Sequence, residues 1–270
     1  MKLVRLNSHK IAYDDAGSGQ VILFIHGFPL HRKLWQPQID SLTQAARVIA
    51  VDLRGHGESD SAPGSNTMQA MAEDCFDLLT KIGVSQPVIL CGLSMGGYVA
   101  FSAYRQYPHR IAGLILAATR AAADSDLAKQ NRNEAIATIQ KEGAAKIIES
   151  MSARLLSPTS LEKKPDLLAR LREMMQSIPT QTYLSDLSGL RDRPDATGLL
   201  PTITKPVMII HGADDQIVPL EEARAMHAQI PASELRIIPQ AGHLPNLEQP
   251  DLFNRAILDF LSKFPEAHSQ

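Results

Sequence analysis

The sequence predicts an α/β chain: a mostly parallel eight-stranded sheet with helices on both faces and a helical cap inserted after the sixth strand. Three observations carry that expectation. Short apolar runs rich in β-branched residues, such as Val21-Ile22-Leu23-Phe24-Ile25 and Val88-Ile89-Leu90-Cys91, alternate with longer stretches of helical pattern, as in parallel strands joined by helical crossovers. Gly92-Leu93-Ser94-Met95-Gly96-Gly97 directly follows one such run and opens into Tyr98-Val99-Ala100-Phe101, which reads as strand, sharp turn, helix. The alternation then stops between residues 120 and 205 and resumes afterwards.

Taken in order, Lys2 to Leu6 and His9 to Tyr13 read as antiparallel edge strands. Val21 to Ile25 is continuously apolar, the mark of a buried strand. A helix near Leu34 to Leu42, a strand over Arg47 to Val51 and a helix over Thr67 to Ile82 follow. The Val88 strand leads into a helix over Gly96 to Gln106, and Ile111 to Ala117 is the sixth strand. Next come three amphipathic helical runs: Asp124 to Gly143, Ala144 to Leu156 and Lys164 to Ser177. Prolines 158, 165, 179, 194 and 201 punctuate this segment. Val207 to Ile210, a helix over Leu220 to Ile230 and a strand over Leu235 to Ile238 complete the sheet. The expected division is a core of residues 1–119 and 206–270, with 120–205 as a helical cap or lid.

The Gly-x-Ser-x-Gly turn carries the chemistry. It is so tight that side chains at positions 92 and 96 collide with the neighbouring strand and helix, and the serine backbone is strained. The strain lifts the Ser94 hydroxyl clear of the sheet, and the following helix aims its positive end at the same spot. A serine hydroxyl needs a base to take its proton, and on such an elbow the chain order is serine, acid, histidine. Four histidines lie between Ser94 and the last few residues. His109 follows Tyr107-Pro108 at a helix exit, His227 lies in a surface helix, and His211 ends an apolar strand. His243, in Gln240-Ala241-Gly242-His243-Leu244-Pro245, sits on a glycine-flanked loop just past a strand and is the candidate base. The loop Gly212 to Pro219 offers two adjacent carboxylates, Asp214 and Asp215. Successive side chains of an extended segment point opposite ways, so only one can face His243. A competing acid after the sixth strand is absent until Asp124.

A tetrahedral intermediate needs backbone donors for its oxyanion. The Met95 amide is one candidate and the Phe28 amide, in His26-Gly27-Phe28-Pro29, is the other. Pro29 has no N–H to offer and stiffens the loop. His26 reads as a structural tie for it. In the cap, Met151, Met174 and Met175 are candidates to line an adaptable acyl pocket, with helix-to-helix packing as the competing role.

Bulk properties narrow the class. A chain of 270 residues buries one sizeable core. A net charge of −2 gives no broad basic field for nucleic acid. Met1-Lys2-Leu3-Val4-Arg5 does not resemble a signal peptide, and no apolar run reaches membrane-spanning length. The two cysteines, Cys75 and Cys91, read as small buried apolar groups, consistent with a cytoplasmic protein. No Cys/His spacing suits a metal and no Gly-rich loop suits a phosphate, so no cofactor is expected. The expected partner is a small-molecule ester or lactone, with no nucleic acid and no membrane; a homo-oligomer is left open.

These motifs together resemble the α/β-hydrolase fold superfamily, in the neighbourhood of serine esterases, cofactor-free haloperoxidases (perhydrolases) and enol-lactonases. The matching residues are His26-Gly27-Phe28-Pro29, Asp52-Leu53-Arg54-Gly55-His56-Gly57-Glu58-Ser59, Gly92 to Gly97, Gly212 through Asp215 to Pro219, and Gly242-His243. In that family the acid lies three residues after the loop glycine and four before a proline, which the resemblance assigns to Asp215. It implies a Ser94–His243–Asp215 triad, with Asp52, Arg54 and His56 as loop scaffolding. The implied activity is hydrolysis of small carboxylic esters, with lactonase or perhydrolase chemistry as alternatives. Haloalkane dehalogenases and epoxide hydrolases need an aspartate where Ser94 stands. A lactonase for dicarboxylic acids needs a basic pocket residue, for which Arg120, Arg132 and Arg154 are candidates against a plain surface role. A ligand-sensing signalling protein on the same fold is the non-enzyme alternative. Residues 120–205 match no motif of a named substrate class.

Overall fold

The computed structural model describes residues 1–62 and 65–264. Its strands are β1 (Lys2–Arg5), β2 (Lys10–Ala16), β3 (Val21–Ile25), β4 (Arg47–Val51), β5 (Val88–Leu93), β6 (Ile111–Ala117), β7 (Val207–Gly212) and β8 (Ser233–Ile238). They form one sheet in the order β1-β2-β4-β3-β5-β6-β7-β8. β2 pairs antiparallel with β1 and β4, and every other pairing is parallel. Helices α1 (Gln36–Leu42), α2 (Met68–Lys81) and α3 (Met95–Gln106) precede β6. Helices α4 (Asp126–Glu142), α5 (Ala145–Ser152), α6 (Pro158–Lys163), α7 (Pro165–Gln176) and α8 (Thr180–Arg191) fill the stretch between β6 and β7. Helices α9 (Leu220–Gln229), α10 (Pro245–Glu248) and α11 (Pro250–Leu261) follow.

The pattern of burial explains why these runs became strands. Every residue of β3, β5 and β7 is buried, as a parallel sheet covered on both faces requires. β8, at the sheet edge, is largely part-exposed or exposed. The lone tryptophan, Trp35, is fully buried in a 3-10 turn before α1. Its ring centroid lies 4.9 Å from that of Phe24 in β3 and 6.1 Å from that of Phe253 in α11. Cys75 and Cys91 are both fully buried, and burial pushes both thiols up, which leaves them inert.

In the β6–β7 insertion, α4 packs on α8 and α5 on α7. The sequence pattern anticipates α4, α5 and α7 but not α6 or α8. Helix α8 buries Thr182, Asp186 and Gly189 as well as Tyr183, Leu187 and Leu190, so no clean polar face announces it. Three of the five punctuating prolines mark helix starts. Pro158 and Pro165 occupy the first turns of α6 and α7, and Pro179 immediately precedes α8. Among the described residues, no helix is long and apolar enough to cross a membrane.

Candidate active site

Ser94 stands between β5 and α3 at φ 53° and ψ −111°. A residue with a side chain holds such a conformation only when its surroundings impose it. A Cβ on Gly92 would lie 2.2 Å from the Gly96 carbonyl oxygen, and one on Gly96 would lie 2.2 Å from the Ile25 oxygen. Glycine alone lets β5, α3 and β3 meet this closely. From the other side, Ser94 N donates to Ala117 O at 2.9 Å and Thr119 Oγ1 donates to Ser94 O at 2.8 Å. A serine at this position ordinarily caps the helix with its hydroxyl. Ser94 makes no such bond, and Met95 begins α3 directly behind it.

The His26–Pro29 loop leaves β3 beside the elbow. A Cβ on Gly27 would lie 3.2 Å from Ser94 Cβ. His26 ties the loop down: its Nδ1 donates to Gly27 O at 3.0 Å and its Nε2 accepts from Leu53 N at 3.1 Å. Burial, with His56 adding to it, drives the His26 pKa well below the usual histidine value, so the ring is neutral. The Phe28 ring meets the Tyr183 ring of α8 edge-on at 5.4 Å. The Tyr183 hydroxyl donates to Met175 O at 2.8 Å. Met175 is fully buried in α7, whereas Met151 and Met174 are half-buried.

His243 and Asp215 come together after β8 and β7. His243 Nδ1 lies 2.8 Å from Asp215 Oδ2, and the two side chains are only 2% and 1% exposed. A carboxylate there keeps the proton on Nδ1 and leaves Nε2 as the acceptor. Asp215 Oδ1 accepts from Ile217 N at 2.8 Å and Val218 N at 3.0 Å. Burial works to raise the Asp215 carboxyl, but His243 and these amides hold it below the ordinary carboxylate range. Asp214 is exposed, and its backbone N–H donates to Ala241 O at 2.8 Å. The adjacent carboxylates therefore face opposite ways, although Ala213 and Asp214 form a turn after β7 and not the extended segment expected. His211 adds a contact the sequence did not announce. Its Nε2 lies 2.9 Å from Val218 O and 3.4 Å from Asp215 Oδ2, so it braces the loop that carries the acid. His109 and His227 are exposed.

The Asp52–Ser59 turn is scaffolding. Asp52 accepts the backbone N–H groups of Arg32 at 2.7 Å and Glu58 at 2.9 Å. Arg54 forks onto both oxygens of Asp74 at 2.6 and 2.7 Å. His56 reaches Asp186 in α8, with Nε2 2.9 Å from Oδ2. Arg120 and Arg132 are not plain surface charges. With Arg193 they converge on the fully buried Asp124 carboxylate at 2.7, 2.8 and 2.6 Å. The buried Nε of Arg120 has no partner among the described residues. Arg154 is exposed and reaches Gln216 O at 3.4 Å.

Comparison with known proteins places the chain. A family model described as the alpha/beta hydrolase fold matches residues 20–250. A 3-oxoadipate enol-lactonase of Acinetobacter baylyi is 27% identical over 263 residues, 96% of each chain. A pimeloyl-(acyl-carrier protein) methyl ester esterase of Nitrosomonas europaea is 27% identical, over 90% of this chain and 96% of its own. Among solved structures, a thermophilic esterase from Thermogutta terrifontis, with malate bound, is 40% identical with a TM-score of 0.94. That match covers 97% of this chain and 99% of the esterase.

Proposed function

The chain belongs to the α/β-hydrolase fold family, and from that premise we propose that it is a serine hydrolase of small carboxylic esters. The observation that carries this reading is the buried 2.8 Å contact of His243 Nδ1 with Asp215 Oδ2, at the same carboxyl end of the parallel strands as the strained Ser94. Ser94 Oγ attacks the ester carbonyl carbon while His243 Nε2 takes its proton. The Phe28 and Met95 amides donate to the oxyanion, and Asp215 stabilises the imidazolium. Collapse expels the alcohol, which receives the proton from His243. Water then attacks the acyl-enzyme, with its proton passing through His243 back to Ser94 as the acid leaves. No cofactor enters any step. Residues 120–205 act as a lid over this site, and Met151, Met174 and Met175 set acyl-chain preference from it.

One observation favours a second substrate class. Three guanidiniums share the single Asp124 carboxylate, and a buried Arg120 N–H is left without a partner. Surplus positive charge one residue beyond Thr119 suits an ester or lactone that carries a free carboxylate, as the name of the enol-lactonase relative indicates for that protein. Faster turnover of a dicarboxylic half-ester than of its neutral diester supports this class, and the reverse ranking removes it.

Turnover of p-nitrophenyl acetate and butyrate tests the main reading against a signalling role. Ser94→Ala is expected to lower turnover by a factor of roughly a million, and a fluorophosphonate is expected to label Ser94 alone. Asp215→Asn is expected to cost about four orders of magnitude through the wrong imidazole tautomer, with Asp214→Asn far milder. Retention of about a tenth of wild-type turnover in Ser94→Ala, or equal losses at the two aspartates, overturns the assignment.

A further inference from the structure

Glu248, the last residue of α10, is a fully buried carboxylate that none of the steps above uses. A buried carboxylate is costly unless its lone pairs are met. Here three backbone N–H groups meet them. Oε1 accepts from Gly242 at 2.7 Å and from Leu244 at 3.4 Å, and Oε2 accepts from Ser157 at 2.7 Å. Two of these amides flank His243. The third belongs to the insertion, where Ser157 caps α6.

The same two stretches are joined again beside it. His243 N donates to Leu155 O at 3.0 Å, and Ser157 Oγ donates to Gln240 O at 3.2 Å. A Cβ on Gly242 would lie 2.7 Å from Ser157 N, so the two backbones are in direct contact. Lys164, just before α7, donates through Nζ to the carbonyl of Glu248 itself. One carboxylate thus sits at the junction of the histidine loop and the insertion, with one oxygen serving each.

We infer that Glu248 is a positioning residue that locks residues 155–157 of the insertion to the His243 loop, so that the seating of the insertion sets the position of the catalytic base. The inference rests on His243 being that base. A carboxylate is suited to the task because both oxygens accept. The amide of a glutamine turns an NH2 group toward one set of backbone N–H donors, so one arm of the clamp is lost.

The test is Glu248→Gln, alongside Ser157→Pro as an independent way to cut one arm. Ser157 has φ −66° and Leu156 before it is extended at φ −111° and ψ 151°, so proline suits the backbone dihedrals. Its ring displaces Glu248 by replacing the N–H that reaches it, while also removing the hydroxyl that reaches Gln240 O. In folded protein, judged by circular dichroism, each variant is expected to lower kcat on p-nitrophenyl acetate about ten- to a hundredfold, the scale of a misplaced catalytic group. KM is expected to move less than about threefold, since ester binding is left in place. The low-field proton resonance of the His243 Nδ1–H is expected to shift or broaden, which a purely stabilising role would not cause. His243→Ala is measured in parallel. Full activity in that variant overturns the reading of the base. An inactive His243→Ala, with wild-type kcat and an unmoved resonance in a folded Glu248→Gln or Ser157→Pro, overturns the positioning role.

Discussion

Two of the joints that fasten the insertion between β6 and β7 to the core use different chemistry. At the first, α8 lies on the turn after β4. His56 Nε2 sits 2.9 Å from Asp186 Oδ2 with both side chains fully buried. Asp186 favours the charged form of the His56 ring against its burial. Around it Asn66 Nδ2 donates to Asp186 Oδ1 at 2.7 Å and Thr182 Oγ1 donates to Gly55 O at 2.9 Å. A Cβ on Gly189 would lie 2.0 Å from Asn66 O, so the helix and the strand of chain at Asn66 touch backbone to backbone. At the second, residues 155–157 meet the His243 loop through amides that converge on Glu248. The first anchor pairs a histidine with a carboxylate, whereas the second joins a carboxylate to backbone N–H groups. The first joint therefore answers to the charge on His56 and the second to the placement of backbone amides.

The comparison breaks most visibly at Asp186. Asp186→Asn removes the counter-charge of a fully buried histidine, and losing one partner of such a pair costs about 3–5 kcal/mol. Thermal melts near pH 6 are expected to show that loss, with Asp186→Asn far more damaging than any neutral change at the Ser157 anchor. An Asp186→Asn protein as stable as wild type would mean that shape, not charge, holds α8.

The pH dependence sharpens the contrast. Burial opposes the charge on His56, but Asp186 outweighs it and the folded pKa is raised. Its stabilisation is therefore complete below the unfolded value of about 6.5 and is lost as pH rises through the higher folded value. His26, His31 and His211 are lowered by burial and act in the opposite sense, favouring the fold above about 6.5. The whole-protein curve mixes these contributions. The Tm difference between wild type and His56→Gln isolates one of them, and it is expected to narrow from about pH 6 to about pH 9. A difference that stays constant or widens removes the ion pair from the account.

The smallest effect belongs to the second anchor. Ser157→Ala keeps the N–H to Glu248 but deletes the hydroxyl that caps α6 and donates to Gln240 O. The expected loss is about 1 kcal/mol, the usual worth of an N-cap. Urea titrations at two pH values are expected to give the same loss at both. A pH-dependent loss would mean that the hydroxyl is coupled to a titrating group at this anchor.

Much of this architecture is legible in the residues, and the boundary of legibility is physical. β3, β4 and β6 have the bounds their apolar runs predict. The elbow is recognisable because the glycines and serine must stand at fixed spacing for the turn to exist. The choice between Asp214 and Asp215 is not legible from the residues themselves, because both are small acids in one turn and only the direction of the chain separates them. Helix α8 is hidden because it is buried nearly all round. Asp186 and Glu248 are hidden for another reason: each has a partner far off in sequence, 120 residues from Asp186 to Asn66 and 91 from Glu248 to Ser157. A lone carboxylate carries no sign in the sequence of which distant amides it will meet.

Trp35, packed between Phe24 and Phe253 beneath the sheet, gives the molecule an uneven optical signature. It is the only tryptophan of the chain, and residues 120–205 contain none. Tryptophan emission, excited where tyrosine does not absorb, therefore reports the melting of the sheet and has no reporter in the five helices inserted into it. Far-ultraviolet ellipticity, dominated by helices, registers both events. If the insertion detaches before the core melts, ellipticity falls while emission stays constant, and the gap between the two curves measures how independently the helices are held.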